Sequence, residues 1–314
     1  MIVEQQFFDH LATTAKPVQL VCNVDDLSAA AARRLVYPAY AQVKYDGVWC
    51  GVVRFGDEII YFSRTGKRFY LDAATLNHTP GMFEEQVVYI GELVNSMLSL
   101  EELSGAVNPN RVALWDQATN EAMTSASVCY FHDYVPLGDF VQGVCTQSYA
   151  QRGEALCESL IGTGLKVIQN VPMDNLEQFE IWSQFRINDG HEGAVLKQIG
   201  ASWVAGHKSF HTIKRVRQLH LDLKCIGVEY GKGKFAGLIA KLKFEYGGKP
   251  FFAGLGKGWT LERMQRETNA HVHGGVVGAI WHVSALQVSS QWVLRLPKTN
   301  ERRIDKEQPD EKAW

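Results

Sequence analysis

Residues 43–50 read VKYDGVWC: a lysine, an aspartate two positions on, a glycine, and apolar residues on both sides. The surrounding AQVKYDGVWCGVVRF (41–55) alternates in the manner of a strand, and on a strand Lys44 and Asp46 would share one face. A charge among apolar neighbours is costly to hold unless something compensates it. An ordinary lysine amine, with a pKa near 10.4, is neutral in only about one molecule in a few thousand at pH 7, which makes it a poor nucleophile. Asp46 pushes the wrong way, because a carboxylate stabilises the ammonium. Lys44 therefore makes chemical sense only with further partners, either a divalent cation or a desolvating pocket.

Working outward from this stretch, EIIYFSR (58–64) reads as the next strand, joined by a tight turn at Gly56-Asp57, and QVVYIGELV (86–94) and SVCYFHDYV (127–135) as two more. Three helices are expected. VDDLSAAAARRLV (24–36) has acids in its first turn and arginines in its last, QSYAQRGEALCESLI (147–161) is stopped by Gly162 and Gly164, and NLEQFEIWSQFR (175–186) is opened by a capping box of Asp174 with Glu177. Asn188-Asp189-Gly190 turns the chain into a strand in HEGAVLKQ. Helices and antiparallel strands alternate irregularly, so the fold class is α+β rather than a doubly wound sheet.

After about residue 218 the texture changes. LHLDLKCIGVEY (219–230) reads as one strand and GKGK as a turn. GLIAKLKFEY (237–246) reads as a strand with Leu238, Ala240, Leu242, Phe244 and Tyr246 on one face and Lys241 and Lys243 on the other. Gly247-Gly248 makes a hairpin into KPFFAGLG, WTLERMQRETNA is a helix, and GAIWHVSALQVS and QWVLRLPK (291–298) are two more strands. Five short strands with a helix between the third and fourth is the layout of an OB barrel, a fold that often grips nucleic acid.

The totals describe a globular chain: 314 residues, 46% hydrophobic and 21% charged. No apolar run approaches a membrane span, and MIVEQQFFDH lacks the basic flank and apolar core of a signal peptide, so a cytoplasmic location is expected. The six cysteines are scattered, with no Cys-x-x-Cys pair to suggest zinc. The net charge of -2 hides an uneven distribution. Between Lys208 and Lys249 lie ten basic residues, including Lys214, Arg215, Arg217, Lys232, Lys234, Lys241 and Lys243, against Asp222, Glu229 and Glu245. Such a segment attracts polyanions.

Lys-x-Asp-Gly alone is a weak signal. An ordered series follows it: Ser63-Arg64-Thr65-Gly66, Gly91-Glu92-Leu93, Glu192-Gly193 with Lys197, Lys214 in HTIKRVR, and Arg303-Ile304-Asp305-Lys306. Over nearly the whole chain this series resembles the covalent nucleotidyltransferases, and specifically the short ATP-dependent DNA ligases of the bacteriophage-like kind. The resemblance implies an adenylation (nucleotidyltransferase) domain over 1–218, an OB-fold DNA-binding domain over 219–314, ATP and Mg²⁺ as cofactors, and nicked double-stranded DNA as the partner of a monomer active in DNA repair and replication. It also implies a lysyl-AMP intermediate on Lys44, transfer of AMP to the 5′-phosphate of a nick, and sealing by the 3′-hydroxyl.

Carried onto this sequence, the resemblance makes Lys44, Asp46 and Lys214 the catalytic set, with Lys214 on the α-phosphate. Glu92 and Glu192 would hold the ribose or Mg²⁺, and Arg64 the ribose. Gln42 would meet the adenine edge, His132 would stack on the base, and Lys197 would belong to the same nucleotide site. Arg303, Asp305 and Lys306 would orient the pyrophosphate, which calls for a hinge near 217–221. Arg215, Arg217, Lys232, Lys234, Lys241 and Lys243 would contact DNA. The pattern departs in places: Trp49 stands where the family usually has an arginine, Lys214 is followed by Arg215-Val216 rather than by a second lysine one residue on, His132 replaces a larger aromatic, and Gln42 replaces a glutamate. A tryptophan supplies neither the charge nor the paired donors of a guanidinium. An mRNA-capping guanylyltransferase and a nick-binding module with weak turnover stand as the competing readings.

Overall fold

In the computed structural model, which describes residues 2–288 and 293–312, the strand expected over 41–55 is two strands, Ala39–Lys44 and Val48–Phe55. They belong to different sheets. Tyr45, Asp46 and Gly47 form the crossing, so Lys44 ends a strand and does not share a strand face with Asp46. A Cβ on Gly47 would lie 2.5 Å from the Leu93 carbonyl oxygen and 2.8 Å from Glu92 Cγ. Only glycine lets the crossing press against the strand that carries Glu92.

The chain divides into two compact units, Met1–Val216 and Arg217–Trp314, where the sequence reading puts the break between 218 and 219. In the first unit, one five-stranded sheet runs in the order Leu20–Asn23, Lys208–Val216, Gly193–Lys197, Ala39–Lys44, Val171–Met173. Its first pair is parallel and the others are antiparallel. One face, carrying Ala39, Ala41, Ala194, Leu196 and Ile213, is buried with Phe179 of the helix Leu176–Asn188. The small alanines let this helix sit close to the strands. The opposite face carries Gln42, Lys44, Lys197 and Lys214.

The second sheet of this unit runs Glu58–Phe62, Val48–Phe55, Val87–Asn95, Ser127–Pro136, Lys166–Val167. Both its faces are covered, which explains the near-continuous apolar strands. Cys50, Val52, Leu93 and Phe131 pack with Leu103, Met123 and Leu156 from three helices. Val53, Phe62 and Val88 pack with Phe7, Phe140 and Trp203. Phe7 and Leu11 come from a helix, Glu4–Thr13, that the sequence reading left unassigned.

Two further local expectations change in this unit. The helix expected over 24–36 is a 3₁₀ turn, Val24–Asp26, and a single turn, Ala29–Ala32, because Ser28 caps the second piece by accepting from the Ala31 N–H. The cap of the 176–188 helix is Asn175, whose side chain accepts from the Gln178 N–H at 2.8 Å, one residue beyond the expected Asp174–Glu177 box.

The second unit holds a six-stranded sheet in the order Leu219–Lys224, Ile280–Ala285, Lys298–Arg302, Lys249–Leu255, Ile239–Tyr246, Gly227–Tyr230. The strand expected over 219–230 is thus split at Cys225-Ile226, and its halves occupy the two ends of the order. Counted as one segment, they restore the expected five-strand layout, with the helix Leu261–Val272 between the third and fourth. Gly247 and Gly248, both with positive φ, make the predicted hairpin. Leu242 and Phe244 are buried and Lys241 is exposed as expected, but Ala240 is an extra residue in the pairing, so Ile239 rather than Leu238 fills the core. Of the strand expected at 291–298, Gln291 and Trp292 lie outside the described residues. Leu294 makes a single bridge to Val288, and the strand proper starts at Lys298. No helix among the described residues is long and apolar enough to cross a membrane.

Candidate active site

Lys44 is the last residue of its strand and pairs with Gly193 on the neighbouring one, which brings Glu192 to its side. Its Nζ donates to Glu192 Oε2 at 2.5 Å, with the lysine side chain 23% exposed and the glutamate 8%. Gly193 is required here. A Cβ on it would sit 2.0 Å from the Arg215 carbonyl oxygen, so any other residue would pry apart the strands that deliver Lys44, Glu192 and Lys214. Lys214 lies on the far side of the same strand, paired with Val195, and burial together with the Lys44 ammonium lowers its pKa. Two ammonium groups and one carboxylate thus share a small volume.

The second sheet supplies the facing wall. Trp49, Glu92 and Tyr130 are successive cross-strand neighbours and share one face. Burial pushes the Glu92 carboxyl up to about 7; Lys44 opposes that rise, and Glu192 and Asp46 reinforce it. Three acids and two lysines are therefore in mutual electrostatic range, with Arg64 also within reach of Glu92. Arg64 is exposed on the turn after strand 58–62, which is closed by the Gly66 N–H donating to the Ser63 carbonyl at 2.8 Å. Trp49 packs edge-on against Phe62 at 5.7 Å. Tyr45, the neighbour of Lys44, stacks on Tyr130 at 4.2 Å.

The other expected nucleotide residues gather around a β-bulge. Gly91 pairs with Phe131 and Ile90 with Asp133, leaving His132 as the extra residue. The bulge puts Phe131 into the core and frees the His132 carbonyl from the ladder. Lys197 Nζ donates to that carbonyl at 2.9 Å, lies 3.2 Å from His132 Nδ1, and sits over the Tyr149 ring at 4.4 Å. Burial lowers the Lys197 pKa to about 8 and that of His132 to about 3, so the imidazole is neutral at physiological pH. Beneath them Arg152, 1% exposed, grips Asp133 with Nε at 2.8 Å and Nη2 at 3.2 Å. Gln42 is buried, and its Nε2 donates to the Ile168 carbonyl at 3.2 Å.

Lys44, Asp46, Glu92, Glu192 and Lys214 are thus brought together, and Gln42, His132 and Lys197 lie on the same unit. Arg215 is not on that face. It alternates to the helix side of its strand and pairs with Glu180 at 3.5 Å, while the residue two beyond Lys214 on the site face is Val216. Of the expected DNA contacts in the second unit, Lys232, Lys234 and Lys241 are exposed and Lys243 is half-buried. Lys241 pairs with Glu229 at 2.8 Å, and Lys243 and Lys234 lie over Phe252 and Phe235. Arg303, Asp305 and Lys306 form a cluster with Asp222. The sequence reading missed Tyr130, which alternation from Glu92 across the sheet could have found, and Arg152, a helix arginine with no local signal.

No group of three or more His, Cys, Asp or Glu side chains among the described residues is placed to cage a metal. Mg²⁺ is commonly held by one or two carboxylates together with substrate phosphates. Glu92 and Glu192 offer hard oxygen donors, and the raised pKa of Glu92 is the mark of an acid that would gain from a nearby cation.

Residues 19–215 match a family model described as ATP dependent DNA ligase domain. Among curated proteins, the chain is 24% identical over 230 residues to a "Probable DNA ligase" of Persephonella marina, covering 67% of this chain and 39% of that protein. It is 23% identical over 308 residues to a "Probable DNA ligase" of Pseudarthrobacter chlorophenolicus, covering 90% of this chain and 57% of that one. The chain therefore spans only part of the length of these relatives. Solved structures share its fold: one of the Lig E DNA ligases at TM-score 0.65, 17% identity, covering 91% of this chain and 98% of that one, and the ATP-dependent DNA ligase of bacteriophage T7 in complex with ATP at TM-score 0.53, 16% identity, with the same coverages.

Proposed function

We infer the reaction from the family: the chain belongs to the ATP-dependent DNA ligase family. It joins a 5′-phosphate to a 3′-hydroxyl at nicks in duplex DNA, with ATP as the adenylate donor and Lys44 as the carrier. The observation that supports this best is Lys44 itself, held at a strand end against Glu192 and facing Glu92.

In the first step the Lys44 amine attacks the α-phosphorus of ATP, an N–P bond forms, and the bond to the pyrophosphate oxygen breaks. The proton on Nζ has an acceptor in place, because Glu192 Oε2 already takes its hydrogen bond. Lys214, within electrostatic reach of Lys44, offers positive charge to the α-phosphate. The 5′-phosphate of the nick then takes the AMP from lysine, and the 3′-hydroxyl displaces AMP to make the phosphodiester. Bound Mg²⁺, held by Glu92 and Glu192, would neutralise charge on the reacting phosphate. Neutral His132 stacks on adenine, Gln42 and Lys197 frame the base, Arg64 meets the ribose, and Asp46 completes the catalytic group.

Residues 1–218 act as the adenylation domain and 219–314 as an OB-type DNA grip. Lys232, Lys234, Lys241 and Lys243, with Arg217, contact phosphates rather than bases, as an enzyme that accepts any sequence requires. Arg215 contributes through the strand it braces against Glu180 rather than beside Lys214. Arg303 and Lys306, aided by Asp305, handle the pyrophosphate. The protein works as a cytoplasmic monomer in DNA repair and replication. Incubation with α-labelled ATP or GTP tests the reading: label from ATP retained by the protein and lost in Lys44→Ala is expected, and label from GTP alone would identify a guanylyltransferase instead.

A further inference from the structure

Residues 303–312 carry no helix or strand, yet two of the cations within them, Arg303 and Lys306, are fixed. Asp222, on the strand Leu219–Lys224, is 0% exposed. Its Oδ1 accepts from His282 Nδ1 at 3.1 Å, and its Oδ2 accepts from both Arg303 Nη1 and Lys306 Nζ, the latter at 2.7 Å. The main chain repeats the attachment. The Asp222 N–H donates to Asp310 Oδ2 at 2.7 Å, and the Asp310 N–H donates to the Asp222 carbonyl at 2.8 Å. Asp305 takes Arg303 Nε at 2.8 Å, and Asp310 takes Lys306 Nζ at 2.8 Å.

A buried carboxylate with three donors is expensive to desolvate, and its hydrogen bonds offset that cost only while the donors stay in place. The two hydrogen bonds between Asp222 and Asp310 already attach the tail. What Asp222 adds is spacing. Two donors on one oxygen lie within about 6 Å of each other, and the carboxylate cancels the repulsion that would drive the guanidinium and ammonium apart. That spacing fits oxygens on adjacent groups of a polyphosphate. With side chains 24% and 32% exposed, both cations keep N–H groups for a further anion.

We propose that Asp222 is the positioning residue for Arg303 and Lys306, setting them as a pair that receives pyrophosphate. The inference rests on the reading that these two cations serve the adenylation step. In the full-length protein, Asp222→Asn keeps the shape and removes the charge. The expected result is a roughly tenfold or greater fall in the rate of lysyl-AMP formation, a raised KM for pyrophosphate in the reverse reaction, and sealing of a pre-adenylated nick within about threefold of the parent. Combining Asp222→Asn with Arg303→Ala and Lys306→Ala should add little to the loss from those two alone. Unchanged or faster adenylation in Asp222→Asn overturns the proposal, as does an equal fall in every step. If Asp222→Asn does not fold, Asp310→Asn, which removes charge from one Lys306 partner, must give the same split on a smaller scale, and its failure to do so overturns the proposal equally. Should Arg303→Ala with Lys306→Ala leave adenylation intact, the parent reading falls instead.

Discussion

The molecule carries two clusters of acids and cations, and they differ in how well they are satisfied. Around Asp222, the acid is fully buried and each of its oxygens has a donor. Around Lys44, Glu92 is driven up to about 7 and Lys214 is driven down, so acids crowd acids and ammonium groups crowd each other. The first arrangement holds two cations at a set spacing. The second would be balanced by the metal and triphosphate of the proposed reaction.

The largest effect that would break this comparison is at the nucleophile. Lys44→Ala should lower sealing by more than ~10³-fold while the protein stays folded and binds nicked DNA, since the amine proposed to carry the adenylate is gone. Lys214→Ala should cost about 10²-fold in adenylation, the scale for removing one charge-stabilising donor, with a smaller change in melting temperature than Asp222→Asn gives.

Glu92→Gln sharpens the contrast because it separates stability from activity. The Glu92 carboxyl binds its proton more tightly in the folded state than in the unfolded one, so its contribution to stability is greatest below the ordinary carboxylate range and is lost as pH rises to about 7. The glutamine variant should lose that decline: its melting temperature should match the parent near pH 4 and exceed it near pH 8, while its activity is lower. Mg²⁺ binding to the parent should strengthen as pH rises through about 7, with release of a proton measurable by calorimetry. Asp222→Asn should do the opposite to the fold at neutral pH, destabilising it by about 2 kcal/mol through weakened charge-assisted hydrogen bonds. Equal melting behaviour in the two variants would dissolve the distinction.

The smallest effect is on DNA. Replacing Lys241 and Lys243 with glutamate should raise the KM for nicked DNA about tenfold at moderate salt and flatten its salt dependence. An unchanged KM would remove these lysines from the DNA surface.

What the sequence made legible follows from where its periodicity and glycines act. The strands holding Glu92 and Lys197 were visible because alternation or a turn flanks them, and the glycines beside Lys44 and Glu192 mark close approaches that tolerate no side chain. The crossing at Tyr45-Asp46-Gly47 was invisible as such, since two strands of different sheets read as one apolar run. The bulge at His132 and the extra residue at Ala240 are set by neighbouring strands, so no local pattern announces them. Ser28 and Asn175 displaced expected helix boundaries by capping nearer or further along than composition implied. The Asp222 cluster joins residues some eighty positions apart, and only the fold brings them together.

The central claim is that one amine carries the adenylate, and intact mass followed by peptide mapping after exposure to ATP and Mg²⁺ tests it most directly. The account predicts a single AMP adduct located at Lys44, discharged on addition of nicked DNA. An unmodified protein, or an adduct at any other residue, would contradict it.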